Sequence, residues 1–149
     1  MVRTRTRSSL LLALIVSLTG VSCSDPLGPA SELELYLSLP DGLLALEDTV
    51  ELVAVAHNPS DEVVESNGCG PGITVIVEDA AGTMTDLKAG TLWTCQVRDS
   101  NRIGPGETDA VTWRWAPPDT GSYSLRAAVR VQEDIVLRSE AAEVRVIEP

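Results

Sequence analysis

The chain has 149 residues, the length of a single domain, and it is acidic, with 22 Asp and Glu against 11 Lys and Arg. This balance excludes nucleic acid as an expected ligand and argues against adhesion to anionic lipid headgroups, because both need a basic surface. There is no Phe, with three Trp and two Tyr, so the core must be built from Val, Leu, Ile and Ala, which favours β-sheet.

The N-terminal segment has the pattern of an export signal. Three arginines precede an apolar run over residues 10–18 that is too short to span a bilayer. The small residues that follow and end in Cys23 resemble a bacterial lipobox, in which this cysteine is diacylated and becomes the new N-terminus. We therefore predict a signal peptide over residues 1–22, lipidation of Cys23 and anchoring in the bacterial cell envelope. Because Ser24 follows the cysteine, the predicted location in a Gram-negative cell is the outer membrane.

The cleavage site leaves an alternative open. Gly20 stands where the lipobox usually has Leu, and ordinary signal-peptidase cleavage after Ser22 also fits. The cysteine count favours lipidation, because the chain has three Cys and an unused thiol is unusual in an exported protein. Lipidation uses Cys23 and leaves Cys69 and Cys95 as a pair. Removal of the signal peptide and its three arginines leaves 127 residues with 8 basic and 22 acidic side chains, a net charge of −14.

The rest of the chain is predicted to be a tether followed by one domain. Residues 23–31 contain two Pro and one Gly and no hydrophobic period, so we predict a tether there and a folded domain over residues 32–149. In the domain, apolar and polar residues alternate as in half-buried strands, with turn residues between the segments. The predicted strands span residues 33–39, 50–57, 63–64, 73–77, 92–97, 111–115, 122–131, 135–137 and 143–147. Seven to nine short strands without a helical period indicate a β-sandwich.

A local motif sharpens this prediction. Residues Asp119 to Tyr123 fit the pattern D-x-G-x-Y, the tyrosine corner of immunoglobulin-like (Ig-like) domains. In that corner the Tyr hydroxyl bonds to the backbone upstream and fixes the crossover between the two sheets. Leu125 stands where an immunoglobulin domain has its second Cys. We predict an all-β fold, an Ig-like β-sandwich of seven to nine antiparallel strands, without the usual intersheet disulfide.

Several motifs follow one another in the order of a known family. They are residues 58–62, 75–82 and 105–107, the pair Trp113 and Trp115, and residues 121–123. Over about residues 49–131 the chain thereby resembles the BsuPI-type intracellular proteinase inhibitor family. The resemblance implies an Ig-like β-sandwich and inhibition of a serine protease, and it carries over no inhibitory residue. The export signal and the pair Cys69 and Cys95 depart from the family pattern. Asn58 itself is predicted to cap a turn, since Pro59 rules out a glycosylation sequon.

Cys69 and Cys95 are predicted to form a structural disulfide, because the exported compartment is oxidising. The bond closes a loop of 27 residues and contributes about 3 to 4 kcal/mol in the chain-entropy model. Metal or redox roles fit less well, since the two cysteines lack C-x-x-C spacing and His57 is the only histidine. Glycines, Gly70 among them, surround Cys69, and the alternative role of this loop is to present a binding surface.

Trp113 and Trp115 share one face of a predicted strand. Core packing explains at least one of them. If that face is open, the rings stack on a sugar or a partner's side chain, and together with Gly70 they form the candidate binding surface. Two acidic clusters, in residues 47–51 and 61–65, lack the spacing of calcium loops. We predict no metal site and no cofactor.

No catalytic set is recognisable in the sequence. The chain has one histidine and no G-x-S-x-G, H-E-x-x-H or P-loop motif, so we predict no catalytic residue and no enzymatic activity.

We predict an exported lipoprotein, held at the membrane through Cys23, whose non-catalytic Ig-like module binds another protein, by resemblance a protease. The alternatives are a structural accessory protein of the cell envelope with no specific ligand, and an enzyme with a clustered acid–base pair. The negative charge serves solubility or, alternatively, docking of a basic partner.

Overall fold

The computed structural model of the chain describes residues 28–40, 43–66, 71–89, 102–132 and 135–149. They contain a short 3₁₀ helix, Gly28–Glu32, and the strands β1 (Glu34–Ser38), β2 (Leu44–Ala45), β3 (Val50–His57), β4 (Val64–Glu65), β5 (Ile73–Asp79), β6 (Met84–Asp86), β7 (Arg102–Ile103), β8 (Thr108–Trp115), β9 (Gly121–Gln132), β10 (Ile135–Arg138) and β11 (Ala142–Ile147). The predicted signal peptide and the predicted strand at 92–97 lie outside these ranges. Within the ranges, no helix has the length and apolar character needed to cross a membrane.

The strands form two main sheets that enclose one core. The smaller sheet has the order β1-β3-β8, and the larger sheet has the order β2-β11-β9-β5-β6, with β10 also beside β9. Strands β4 and β7 form a separate two-stranded ribbon. The strand pairs are antiparallel except β2 with β11. The predicted all-β sandwich is therefore confirmed.

The core is made of the aliphatic side chains that the composition predicts. The smaller sheet contributes the alternate residues of β3, namely Val50, Leu52, Ala54 and Ala56. The larger sheet contributes alternate residues of its two central strands, namely Ile73, Val75 and Val77 on β5 and Leu125, Ala127 and Val129 on β9. Because side chains alternate across a strand, a period of two in the sequence is enough to assign these residues to the inner faces.

The strand count differs from the prediction. The described residues form eleven strands rather than seven to nine. The unpredicted strands β2, β6 and β7 have only two or three residues each, too few to show an alternating period. One of them, β2, also pairs in parallel with β11, whereas the prediction was antiparallel throughout. The predicted strands that correspond to β1, β3, β5, β8 and β9 are confirmed.

The domain begins before residue 32, where it was predicted to begin. In the 3₁₀ helix Gly28–Glu32, the Ser31 hydroxyl donates to the Gly28 carbonyl oxygen at 2.8 Å. Ala30 is buried where this helix packs beside β4. The predicted tether over residues 23–31 therefore loses its last four residues to the domain. A single 3₁₀ turn is too short to carry a hydrophobic period, so the pattern of apolar residues does not reveal it.

The tyrosine corner is confirmed. The Tyr123 hydroxyl donates a hydrogen bond to the Asp119 carbonyl oxygen at 2.8 Å, and the Tyr123 side chain is buried. The Tyr123 ring meets the Trp115 ring edge to face, with 5.1 Å between the ring centroids. Tyr123 lies on β9 and Trp115 on β8, so this contact joins the two sheets at the point where the chain crosses between them.

Removing only the hydroxyl, in Tyr123→Phe, is expected to lower the free energy of unfolding by about 1 to 2 kcal/mol, because the corner loses its hydrogen bond. Tyr36→Phe is the matched control. Tyr36 is 53 % exposed and its hydroxyl bonds to Glu34 two residues away, so the expected change is within about 0.5 kcal/mol. Urea unfolding of both variants makes the comparison, and equal losses would contradict the role assigned to the corner.

Candidate functional site

Four predicted site residues, Cys23, Cys69, Gly70 and Cys95, lie outside the described residues. The lipidation of Cys23, the pairing of Cys69 with Cys95 and the role of Gly70 in a binding surface therefore stay predictions.

The predicted disulfide has a direct test. Non-reducing peptide mapping of the exported protein is expected to give one linked pair of peptides that contains Cys69 and Cys95. Reduction of that bond is expected to lower the free energy of unfolding by about 3 to 4 kcal/mol. Two free thiols after export would show that the pairing is wrong.

Trp113 and Trp115 are core residues. They point inward from β8, with exposed fractions of 9 % and 5 %. Core packing, which was predicted for at least one of these rings, is found for both, and the alternative of a solvent-facing surface formed by the two rings is corrected. The face of β8 that carries them lies against the opposite sheet, and burying two indole rings there removes a large apolar area from water. Trp115 still borders the cleft described next.

A cleft of about 450 Å³ opens between the edges of the two sheets, beside the tyrosine corner. We call it the corner cleft. Its apolar floor consists of Val77, Leu87, Trp115 and Tyr123, and its polar rim includes Asp79, Thr83, Thr85 and Arg114. Sites that bind small molecules share this composition, and their volumes run from about 300 to 1,000 Å³.

The rim carries one acidic and one basic side chain, on opposite sheets. Asp79 ends β5, and its Oδ1 accepts hydrogen bonds from the N–H groups of Thr83 at 2.8 Å and Ala81 at 2.9 Å. The Thr83 bond above all, and then the Ala81 bond, hold the pKa of the Asp79 carboxyl below its ordinary value. Across the cleft, Arg114 of β8 forms an exposed ion pair with Glu51 at 3.5 Å. The rim therefore offers a fixed carboxylate on one side and a guanidinium on the other.

A second polar cluster lies beyond the end of β3 and is built around the buried side chain of Asn58. The Nδ2 group lies within hydrogen-bond distance of the carbonyl oxygens of Glu62 (2.7 Å), Ile103 (2.9 Å) and Gly104 (3.1 Å). The Oδ1 atom accepts from the N–H of Ser60 at 3.1 Å and from its hydroxyl at 2.7 Å. The turn that Asn58 was predicted to cap is confirmed. The side chain also does more, since it ties this turn to β7 and the residue after it.

The backbone of Asn58 forms hydrogen bonds with a second turn, at residues 104–107. Its N–H donates to the Glu107 carbonyl oxygen at 2.9 Å, and its carbonyl oxygen accepts from the Gly106 N–H at 2.8 Å. The turn at 104–107 is closed by the bond from the Glu107 N–H to the Gly104 carbonyl oxygen at 3.0 Å, and Gly106 has the φ of 68° that its position in a type II turn requires. Residues 58–62 and 105–107, two of the motifs behind the family resemblance, are thus one hydrogen-bonded unit that serves the fold.

The single histidine lies away from the corner cleft. His57 is on the outer face of the smaller sheet, in register with Glu34 of β1 and Thr108 of β8. Its Nδ1 is 3.0 Å from the Thr108 hydroxyl oxygen, while Glu34 accepts the Tyr36 hydroxyl at 2.8 Å. This row contains an acid, an imidazole and a hydroxyl, but it lies on an open sheet face.

Within the described ranges, no three His, Cys, Asp or Glu side chains form a group that could hold a metal ion.

Comparison with solved structures assigns the fold. The CARDB domain of the PF1109 protein from Pyrococcus furiosus, solved in complex with di-metal ions, is similar to this chain with a TM-score of 0.51. The identity is 22 %, over 78 % of this chain and 94 % of that one. This chain has an immunoglobulin-like fold. The Ig-like prediction made from the D-x-G-x-Y motif is confirmed.

The same Ig-like architecture occurs inside larger proteins. The alkylpurine DNA glycosylase AlkC of Pseudomonas fluorescens, bound to DNA containing an abasic site analog, is similar with a TM-score of 0.53 and 12 % identity. The likeness covers 78 % of this chain and 30 % of that one. At these identities the two comparisons establish the fold alone. No protein-family model and no curated protein matches the sequence.

Proposed function

We propose that this chain is an exported, lipid-anchored Ig-like module that binds another protein without catalysis. The observation that carries the proposal is the corner cleft. Its floor contains Trp115 and Tyr123, which contact each other, and the hydrogen bond from Tyr123 to Asp119 fixes the ring. A floor that is ordered before binding reduces the entropy lost when a partner enters.

The strands that border the corner cleft favour a polypeptide as the partner. Within the described ranges, β6 pairs only with β5, and β8 pairs only with β3. An extended segment that places a side chain in the cleft reaches the backbone N–H and C=O groups of these edges, which is the mode of β-strand addition. On the rim, the Asp79 carboxylate can accept hydrogen bonds from backbone N–H groups or basic side chains of such a segment, and the Arg114 guanidinium can donate to its acidic side chains.

A pair of substitutions on β6 tests this site. Thr85 borders the cleft. Met84, the residue before it, lies on the opposite face of the sheet. Thr85→Trp is expected to fill the cleft and abolish retention of the partner from native envelope extracts, whereas wild-type protein and Met84→Trp keep it. Cross-linking with mass spectrometry then identifies the partner and its contact. Equal retention by all three proteins would contradict binding in the cleft.

The position of His57 supports the non-catalytic part of the proposal. The imidazole is hydrogen-bonded to Thr108 on the outer face of the smaller sheet, away from the cleft that offers a preformed site. Two variants test this part: His57→Ala, and Thr112→Ala as a control at an exposed position on the same sheet face. Turnover of a substrate that is lost in the first variant and retained in the second would overturn the non-catalytic proposal.

The lipid anchor is supported by the lipobox-like sequence before Cys23 and by the odd number of cysteines. Cys23→Ala is expected to release the domain from membrane fractions or to leave the precursor uncleaved, and intact mass spectrometry should show the loss of the acyl groups. Membrane partition and mass that match the wild-type protein would mean that Cys23 carries no lipid.

The resemblance to the BsuPI-type family supports protease inhibition as the activity of the module, although the hydrogen-bonded unit of Asn58 explains part of that resemblance through folding. A panel of subtilisin-like proteases at micromolar concentrations of the exported protein tests it. Inhibition of one of them without cleavage of the domain is the result expected of an inhibitor. A folded, undigested domain that inhibits none would leave only the binding proposal.

A further inference from the structure

The arginines of this acidic chain are unevenly placed. Four of them lie on the larger sheet, at Arg126 and Arg130 of β9, Arg138 of β10 and Arg145 of β11. On β9 the alternate residues Leu125, Ala127 and Val129 belong to the core, so the residues between them lie on the outer face of the sheet, where Ala128 is also buried. Arg138 is opposite Ala128, and Arg145 is opposite Ser122, which places all four arginines on the same outer face. We call this set the arginine row.

The row has a regular spacing along β9. Each arginine can be given the number of the β9 residue at which, or opposite which, it lies. By this measure the four arginines lie at positions 122, 126, 128 and 130 along β9. At about 3.4 Å per residue the last three follow one another at steps of about 7 Å, and the whole row spans about 27 Å. Alternate side chains of an extended peptide have the same step of about 7 Å.

Among the described residues of the larger sheet, three acidic side chains lie on this face. Glu78 and Glu143 both stand opposite Ser124, between Arg145 and Arg126. Asp86, opposite Ile76, has its carboxylate engaged by the Thr74 hydroxyl and by the N–H of Lys88. Among the residues the structure describes, Arg126, Arg138 and Arg145 form no ion pair.

Lys88 extends the positive charge to the neighbouring edge of the face. Its ammonium donates to the Pro71 carbonyl oxygen at 2.8 Å. Burial lowers the pKa of this ammonium, the charge of Asp86 raises it, and the charge of Arg130 lowers it, so Lys88 and Arg130 are close enough to interact. The face therefore concentrates cations on a chain whose net charge is −11.

We propose that the arginine row is a docking surface for an acidic segment of another protein, which lies extended along β9 with carboxylates at alternate positions. The partner's carboxylates match the cations in sign and in spacing, and guanidinium groups bind carboxylates through paired hydrogen bonds. The acidic pair Glu78 and Glu143 requires a neutral or basic side chain at the matching position of the segment, which sets the register. This surface is separate from the corner cleft and does not depend on it.

Two synthetic peptides of identical composition test the proposal. One, the alternating peptide, has nine residues with Glu at positions 1, 5, 7 and 9 and Ser elsewhere, so that a Ser lies at the level of Glu78 and Glu143. The other, the block peptide, has the same residues in a glutamate block followed by a serine block. The purified protein is expected to bind the alternating peptide about tenfold more tightly than the block peptide at low salt, measured by fluorescence anisotropy. The double variant Arg126→Ala with Arg138→Ala is expected to reduce that affinity about tenfold, as two exposed charge pairs are lost. The control Arg102→Ala removes an arginine of the β4–β7 ribbon, outside both this face and the corner cleft, and is expected to leave the peptide affinity unchanged.

The outcomes separate the proposal from general attraction to anions. Equal affinity for the two peptides, or a loss of affinity in Arg102→Ala as large as that in the double variant, would overturn the proposal. Binding to vesicles that contain anionic lipid, at an affinity matching that for the alternating peptide, would also overturn it in favour of a membrane surface. If circular dichroism shows that the alanine variant does not fold, Arg126→Gln with Arg138→Gln is used in its place, and unchanged peptide affinity in that folded variant contradicts the proposal.

Discussion

Asn58→Ala is expected to lower the free energy of unfolding by about 3 to 5 kcal/mol. The carbonyl oxygens of Glu62, Ile103 and Gly104 lose their shared donor, and Ser60 loses its acceptor, in a site where Asn58 is fully buried. Each buried polar group left without a partner costs about 1 to 3 kcal/mol, and some of this is recovered when water enters. Guanidinium chloride unfolding, followed by tryptophan fluorescence, measures the loss.

Two further variants separate the causes of that loss. Ser60→Ala removes a single side-chain donor to Oδ1 and is expected to cost about 1 kcal/mol. Asn58→Asp keeps the shape but sets a carboxylate against three carbonyl oxygens, so the folded-state pKa of the new carboxyl rises above the unfolded value of about 4. The folded state then holds the proton more tightly, and stability falls as the pH rises above about 4. A loss below about 1 kcal/mol for Asn58→Ala, or a pH-independent Asn58→Asp, would contradict this account.

Trp115→Ala is expected to cost about 3 to 5 kcal/mol as well, because removing a buried indole loses its transfer free energy and leaves a cavity. The ring is 5 % exposed and packs edge to face on Tyr123, so the tyrosine corner loses its neighbour too. Thr112→Ala, an exposed position on the same strand, serves as the control and is expected to stay within about 0.5 kcal/mol. A loss for Trp115→Ala no larger than that of the control would show that the ring is not a core residue.

The parts of the fold that local chemistry determines were predictable. Alternation assigned the inner residues of β3, β5 and β9, since each strand needs only its own period of two to define its faces. The turn at residues 79–82 depends on neighbours only, namely the Asp79 side chain and Gly82, whose φ is 80°. The tyrosine corner is local in the same way, because its donor and acceptor are four residues apart.

The site was not predictable, because it depends on long-range contacts. The alternation of β8 puts Trp113 and Trp115 on one face but does not say that another sheet covers it. The corner cleft joins the turn after β5 to the end of β8, more than 30 residues later in the chain. Asn58 likewise meets Ile103 across 45 positions. The sequence Asn58-Pro59 predicts the local turn, but it does not indicate that Asn58 also bonds to the distant turn at residues 104–107.

The position of the 3₁₀ helix limits how far the corner cleft can stand from a lipid anchor. With Cys23 lipidated, as proposed, only residues 24–27 separate the anchor from the 3₁₀ helix, and four extended residues span at most about 14 Å. The chain leaves that helix beside the His57 end of β3, whereas Trp115 and the corner cleft pair with the Val50 end. Eight residues of strand set these ends about 24 Å apart. With that anchor, the short attachment keeps the His57 end of the sandwich near the lipid and leaves the corner cleft at the far end of the strands, where it is open to a partner.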